Sequence, residues 1–249
     1  YPEAEVAGLN SKTGYEVMNM NLGAMHNTAG DVGSYGLLYQ WGRKDPFPAA
    51  PTLTGTTATV GAPIYDGDDN EIKITNSSQS STADNNLAFA IANPTVCLSN
   101  YAQFNTSRDW LQADMSNDAL WGNPKGAERN ETNDFLNKGA KSFYDPCPVG
   151  WRVPPADVFR NFTASGGYAW VIDDFDIADI SGDGAKSLAD YDYGWTFNLS
   201  DSASSYFPAA ARFDGSYAML MGSMSGLWGS YWGNAPYPGD MFRGGAYSV

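Results

Sequence analysis

The 249-residue chain has few of the residues on which most enzyme and metal sites depend. It contains one histidine, His26, and two cysteines, Cys97 and Cys147, which are too few for the usual zinc ligand sets. A Ser-His-Asp or Cys-His catalytic site would have to use His26, yet no nucleophile motif accompanies it. We therefore expect a protein that is not an enzyme, with His26 as an ordinary loop residue. A hydrolase that uses paired carboxylates stays open as a remote alternative, because the separation of Asp and Glu side chains cannot be read from the sequence.

Basic residues are also scarce, since 14 Lys and Arg stand against 28 Asp and Glu, a net charge of −14. Phosphate binding requires clustered Lys and Arg, so nucleic acids and anionic membrane surfaces are poor partners. No apolar run approaches the ~20 residues of a membrane span, and direct membrane insertion is not expected. The acidity is interpreted chiefly as a source of solubility, with bound cations as the alternative.

Aromatic and turn-forming residues are abundant instead: Phe, Trp and Tyr make up 14% of the chain, which also has 27 Gly and 14 Pro. Gly and Pro divide the sequence into short segments, a pattern typical of a loop-rich fold with modest strands. Alternation predicts a strand at residues 15–22 (YEVMNMNL), and the sequence GLLYQW predicts a buried strand at 36–41. Short helices are predicted at 155–162 and 131–138. The composition of residues 49–107, rich in Thr, Gly, Ser and Asn, predicts an insertion of surface loops.

One acidic segment, DISGDGAKSLAD (residues 179–190), has part of the spacing of a calcium-binding loop. Asp179, Asp183 and Asp190 occupy positions 1, 5 and 12 of that spacing, and calcium prefers such oxygen ligands. Lys186 at position 8, and Asp rather than Glu at position 12, depart from the pattern. A solvated acidic loop is the favoured interpretation, with calcium at these three aspartates as the alternative and no other cofactor expected.

Four motifs, in order along the chain, resemble those of one family of bacterial surface proteins. They are GLLYQWGRKDPFP (36–48, preceded by MNMNLGA at 18–24), DPCPVGWRVPP (145–155), YFPAAARFDGS (206–216) and GLWGS (226–230). Through these motifs the chain resembles the Fibrobacter succinogenes major paralogous domain family of Gram-negative gut anaerobes. The match spans roughly residues 18–230, with the insertion outside it.

The resemblance implies a single α+β domain over residues 1–249 with a C-type-lectin-like fold, placed at the tip of a fimbria or pilus on the cell surface. Its implied partners are other fimbrial or pilus subunits and an external protein or glycan. The related formylglycine-generating activity is not implied, because that chemistry needs a reactive cysteine pair and only Cys147 lies in the C-terminal half. The family commonly ends in a segment like SVRCV, whereas this chain ends in AYSV. Cys147 therefore pairs with Cys97, or with a cysteine that this chain lacks, or stays free; the absence of an internal disulfide is the favoured interpretation.

The segment 214–247 is rich in Tyr, Trp, Met, Ser and Gly, and we expect it to bind the ligand. Tyr and Trp supply contact area at low entropic cost, and Met adds a deformable apolar surface. Ring exposure is expected at positions 231, 232 and 237, which lie among Gly and Pro, whereas Trp228, Trp41, Trp151 and Phe207 are assigned to packing. The predicted ligand-binding residues are Asp214, Tyr217, Met219, Met221, Ser230, Tyr231, Trp232, Asn234, Tyr237 and Asp240.

The last motif, MFRGGAY (241–247), resembles the end of C-type-lectin-like variable proteins that diversity-generating retroelements rewrite. That resemblance implies a binding surface whose codons vary at adenines, and diversification is a hypothesis to be tested. The alternative function is a glycan-binding module of a surface polysaccharide-utilisation system.

Overall fold

The computed structural model describes residues 7–12, 14–48, 65–70, 75–77, 86–98, 110–111, 120–122, 139–155, 158–159, 162–165, 172–211, 213–214, 219–220, 229–236 and 244–248. Within these residues the fold is mixed α and β and rich in loops, and its strands form two-stranded pairs. This confirms the coarse α+β, loop-rich prediction. Over the same residues, no helix has the length and apolar character needed to cross a membrane.

Two antiparallel strand pairs form the N-terminal part. β1 (Gly8–Asn10) pairs with β2 (Glu16–Met18), and β3 (Leu37–Tyr39) pairs with β4 (Pro46–Pro48). β2 and β3 fall within the two predicted strands but are shorter. Gly36, with φ of 70°, directly precedes β3, and Gly42, with φ of 81°, lies in the turn between β3 and β4. Both adopt left-handed backbone, which does not continue a strand.

Residues 86–98 contribute to the core, in contrast to the surface loops that their composition predicted. They contain α1 (Leu87–Ala92) and β6 (Val96–Leu98), and β6 pairs in parallel with β5 (Thr75–Ser77). The helix begins at Asn86, whose side chain accepts a hydrogen bond from a backbone N–H in the first turn. Ala90, Cys97 and Leu98 are buried, so this segment packs as part of the protein's interior.

Arg43 attaches this segment to the rest of the fold. The residue is only 3% exposed, and its guanidinium donates hydrogen bonds to the carbonyl oxygens of Ala90 (3.1 Å), Asn93 (3.3 Å) and Val96 (2.5 Å). The last carbonyl groups of a helix lack partners within the helix, and a buried cation is well suited to bind them. The guanidinium also lies over the ring of Phe47, 5.3 Å from its centroid.

Three antiparallel pairs form the C-terminal part. β7 (Gly194–Ser200) and β8 (Ala203–Pro208) make the longest hairpin. β9 (Phe213–Asp214) pairs with β10 (Met219–Leu220). β11 (Ser230–Pro236) pairs with β12 (Gly244–Ser248), with an irregularity in register after residue 232.

The buried apolar side chains form two main clusters. In the first, the rings of Trp41 and Trp121 lie 5.8 Å apart, and the other members are Ala90, Leu98, Trp110, Leu111, Leu120 and Val153. In the second, Phe162 stacks on Phe197 at 4.3 Å, and the other members are Phe159, Ile177 and Leu199. Packing roles are thereby confirmed for Trp41, and also for Phe207, which is half-buried against the second cluster.

The predicted helix at 155–162 is described only in part. Val158 donates its N–H to the carbonyl oxygen of Pro155 at 3.0 Å, a single tight turn. Val158, Phe159 and Phe162 are all buried, as their predicted common face requires. The predicted helix at 131–138 and the packing residue Trp228 lie outside the described residues.

Candidate functional site

A cavity of about 160 Å3 lies where the sequence motifs meet, and we call it the motif cavity. Each of the motifs at 18–24, 36–48, 145–155, 206–216 and 226–230 contributes to its wall. The described lining residues are Asn21, Leu22, Tyr35, Leu37, Leu38, Tyr39, Trp121, Pro146, Cys147, Val153, Pro154, Pro208, Ala210, Ser230 and Tyr231.

The carboxylate of Asp145 shapes one wall of the motif cavity. It is fully buried, and one oxygen accepts hydrogen bonds from the backbone N–H of Cys147 and from Nζ of Lys141, both at 2.9 Å. Its other oxygen accepts from the backbone N–H of Val153, also at 2.9 Å. Asp145 therefore holds Cys147 and Val153 in place at the wall. The motif at 145–155 contains this aspartate, but the sequence pattern did not single it out.

Both cysteines are free thiols, so Cys147 does not pair with Cys97. Burial, reinforced by the neighbouring carboxylate of Asp145, raises the pKa of Cys147 to about 12. Burial likewise raises the pKa of Cys97 to about 12. Both thiols stay protonated at neutral pH and behave as small apolar groups, Cys147 within the cavity wall and Cys97 in the core.

Tyr231 is bound to the framework by both its ring and its hydroxyl. The hydroxyl donates a hydrogen bond to the carbonyl oxygen of Pro208 at 2.6 Å. The ring meets Phe207 edge to face, with 5.3 Å between centroids. Burial raises the pKa of the Tyr231 phenol far above its ordinary value, so the hydroxyl remains a donor. The expectation of a freely exposed ring is not met at this position, and Tyr231 instead fixes the start of β11.

The other predicted ligand-binding residues fall into two groups. Ser230 is half-buried and lines the motif cavity beside Tyr231. The backbone is described for Asp214 and Met219, which pair across β9 and β10, and for Trp232 and Asn234, which lie in β11. Outside the described residues lie Tyr217, Met221, Tyr237 and Asp240.

The three aspartates of the predicted calcium loop bind backbone N–H groups of their own segment. Asp179 accepts two such bonds at 2.7 and 2.9 Å, and Asp183 accepts one at 2.8 Å. Asp190 is buried and accepts from the N–H groups of Ser181 (3.0 Å) and Ser187 (3.1 Å), which lower its pKa. Among the described residues, no three His, Cys, Asp or Glu side chains are grouped as metal ligands. Calcium binding stays a prediction.

His26 lies in a polar loop. Its Nε2 is 3.5 Å from Oδ1 of Asp31, and both side chains are partly exposed. Its Nδ1 accepts a hydrogen bond from the backbone N–H of Thr28 at 3.4 Å. These contacts fit the predicted role of an ordinary loop residue.

Comparison with protein-family models, with curated proteins and with solved structures finds no match to this chain. The function is therefore inferred from the motifs and from the geometry of the site that they build.

Proposed function

We propose that this chain is a C-type-lectin-like adhesin domain at the tip of a fimbria or pilus on the cell surface. It binds an external protein or glycan ligand through the segment 214–247, without catalysis. The observation that carries the proposal is the convergence of the motifs. Segments that resemble one family's motifs, and that are scattered from residue 18 to residue 230, all supply residues to the wall of one cavity. A common structural framework built by those motifs explains this convergence.

The start of β11 supports a binding role for the segment that follows it. Tyr231 is fixed to Pro208 by its hydroxyl and to Phe207 by its ring. Trp232, the next residue, pairs with Ala246 of β12. The candidate ligand-binding residues thus extend from a point that is already ordered, which lowers the entropy that a ligand must overcome on binding.

The residue types of the segment also suit recognition by contact area. Tyr and Trp are common at the centres of interfaces, where Lys and Glu are depleted. Successive residues of a strand alternate between its two faces. With Tyr231 directed to the framework, the proposal expects Trp232 to face the ligand.

The test is binding of the purified chain to arrays of glycans and of host proteins. We expect Trp232→Ala to weaken binding to any captured ligand by about tenfold or more, as loss of an interface hot spot does. Tyr65→Ala is the matched control, because Tyr65 is 55% exposed and lies outside the segment 214–247. Equal binding by both variants would overturn the assignment of the site. Capture of glycans alone would favour the polysaccharide-system module over the adhesin.

Diversification of the segment is tested separately, by deep sequencing of the gene across a growing population. The codons for residues 214–240 are compared with those for residues 36–48. Adenine-biased variation confined to the former is the expected result. Uniform, low variation in both would remove the retroelement from the proposal and leave an adhesin of fixed specificity.

A further inference from the structure

The size and lining of the motif cavity indicate which chemical group of the ligand it binds. We infer that it is an anchor pocket for one apolar side chain, aromatic or branched aliphatic, of a protein ligand. This inference rests on the proposed function, which leaves protein and glycan ligands open, and it selects the protein. The cavity is partly open to solvent, and its wall includes Ser230 and Tyr231, where the proposed binding segment joins the framework.

The wall is predominantly apolar, and its polar side-chain groups are those of Asn21, Ser230 and the tyrosines 35, 39 and 231. Its described residues include no Asp, Glu, Lys, Arg or His, and most are aliphatic, aromatic or proline. Leu22, Leu38 and Val153 are typical of them. Cys147 adds a protonated thiol, which is also apolar in character. A charged ligand group would find no countercharge on this described wall.

Two polar side chains of the wall already have partners inside the protein. The amide Nδ2 of Asn21 donates to the carbonyl oxygen of Tyr35 at 3.1 Å. The hydroxyl of Tyr231 donates to the carbonyl oxygen of Pro208 at 2.6 Å. A sugar that entered would exchange the water around its hydroxyl groups for a mainly apolar wall, which is unfavourable. An apolar side chain loses nothing comparable and gains from burial.

The volume fits a group of limited size. The cavity measures about 160 Å3. An engineered protein cavity of roughly 150 Å3 with apolar walls stays dry and binds benzene. One aromatic ring or one branched aliphatic side chain therefore matches the space, and burying such a group is the usual way in which a hot-spot residue anchors an interface.

The experiment uses toluene as the probe, titrated into the isotopically labelled full chain and followed by NMR. We expect saturable shifts of methyl and backbone signals from Leu22, Leu38 and Val153. Ala210→Leu places a larger side chain at a buried position of the wall and should weaken toluene binding by about tenfold or more. The matched control is Ala185→Leu at an exposed position in the 179–190 loop, which should leave binding unchanged. Cys147→Met is a second filling variant, for use if Ala210→Leu does not fold.

The outcomes separate this inference from the proposed function. Absence of saturable toluene binding, or equal binding by a folded filling variant and the control, would overturn the anchor pocket. Displacement of toluene by galactose or N-acetylglucosamine would overturn the apolar assignment in favour of a sugar. If the pocket binds toluene but Trp232→Ala leaves binding of the array ligands unchanged, the proposed binding surface is refuted and the pocket stands. If Trp232→Ala abolishes binding of an array ligand but the filling variants still bind it, the anchor pocket is refuted and the binding surface stands.

Discussion

The guanidinium of Arg43 donates a hydrogen bond to the carbonyl oxygen of Ala90, 3.1 Å away in the protein interior. Arg43 belongs to the 36–48 motif, whereas Ala90 belongs to α1 in the predicted insertion. The same guanidinium binds the carbonyl oxygens of Asn93 and Val96. One buried cation thus connects residues 86–98 with the framework of the motif cavity. Composition alone assigns that segment to surface loops.

The first prediction concerns this cation. Arg43→Lys should lower the free energy of unfolding by about 2–3 kcal/mol, because one ammonium group cannot reproduce the planar fork that contacts several carbonyl groups. Amides of residues 86–98 should lose protection in hydrogen-exchange mass spectrometry. Arg152→Lys is the matched control, since Arg152 is half-buried and donates one such bond, to Gly139 at 2.7 Å. Similar losses of stability and protection in the two variants would contradict the role of Arg43.

The second prediction concerns Asp145. Asp145→Ala should lower the free energy of unfolding by about 3 kcal/mol, because it leaves two backbone N–H groups and the ammonium of Lys141 without their shared acceptor. Chemical denaturation with urea measures the change. Asp183→Ala is the matched control, since Asp183 is exposed and accepts one backbone bond within its own loop. A cost for Asp145→Ala no larger than that of the control would show that the carboxylate does not organise the wall.

Short-range patterns explain what could be predicted from the sequence. Alternation located β2, and the short run GLLYQW located β3. The spacing of Val158, Phe159 and Phe162 indicated a buried face. These features depend on neighbours within one turn or strand. Resemblance to family motifs identified the segments that meet at the motif cavity. It did not indicate that those segments would enclose a cavity, since that depends on contacts between residues far apart in the chain.

The charged residues of the core show why the long-range contacts of the fold and of the site could not be predicted from the sequence. Arg43 and Asp145 belong to residue types that are almost never fully buried without a partner. Their partners are mainly backbone groups, which every residue carries and which leave no trace in composition. Tyr231 departs from its expected exposure for a similar reason, because its hydroxyl donates to the carbonyl oxygen of Pro208, which lies in a distant motif. In each case the sequence shows the side chain but not the backbone group that holds it.

The third prediction concerns stability at acid pH. Burial by itself would raise the pKa of Asp176, but hydrogen bonds from Lys12 and Asn198 outweigh it, and the pKa lies below its ordinary value of 3.8. A carboxyl group with a lowered pKa stabilises the fold above its unfolded pKa, and that contribution is lost as the pH falls through the folded pKa. Lys12→Met removes the ion pair. The difference in unfolding free energy between the wild type and this variant should be largest above about pH 5 and should shrink below about pH 4.

Urea denaturation at several pH values measures this difference. Lys44→Met is the control, because Lys44 lies over the ring of Phe143 rather than beside a carboxylate with a lowered pKa. Its difference from the wild type should not follow the pH in this way. A constant difference for Lys12→Met from pH 7 to pH 3 would refute the contribution of the Lys12–Asp176 pair.

The fourth prediction separates anchoring from binding within β11. Tyr231→Phe keeps the ring on Phe207 but removes the hydroxyl from the carbonyl oxygen of Pro208, a buried residue. We expect a loss of about 1–2 kcal/mol in the free energy of unfolding, the usual cost of leaving a buried acceptor unpaired. The loss should be full at pH 7 and should shrink as the pH rises through about 10, because burial raises the pKa of folded Tyr231 above its ordinary 10.0 and ionisation of the phenol then favours the unfolded chain. Tyr65→Phe at an exposed position is the control and should cost less than about 0.5 kcal/mol.

The comparison with Trp232→Ala completes this test. If Tyr231 fixes the strand and Trp232 contacts the ligand, the first variant lowers stability with little effect on ligand affinity, and the second lowers affinity with little effect on stability. Thermal denaturation and array binding measured on the same preparations distinguish the two effects. A Tyr231→Phe variant that is as stable as the control yet binds ligand poorly would assign the Tyr231 hydroxyl to the ligand rather than to the framework. The reverse pattern would mark position 231 as the point where the framework ends and the binding segment begins.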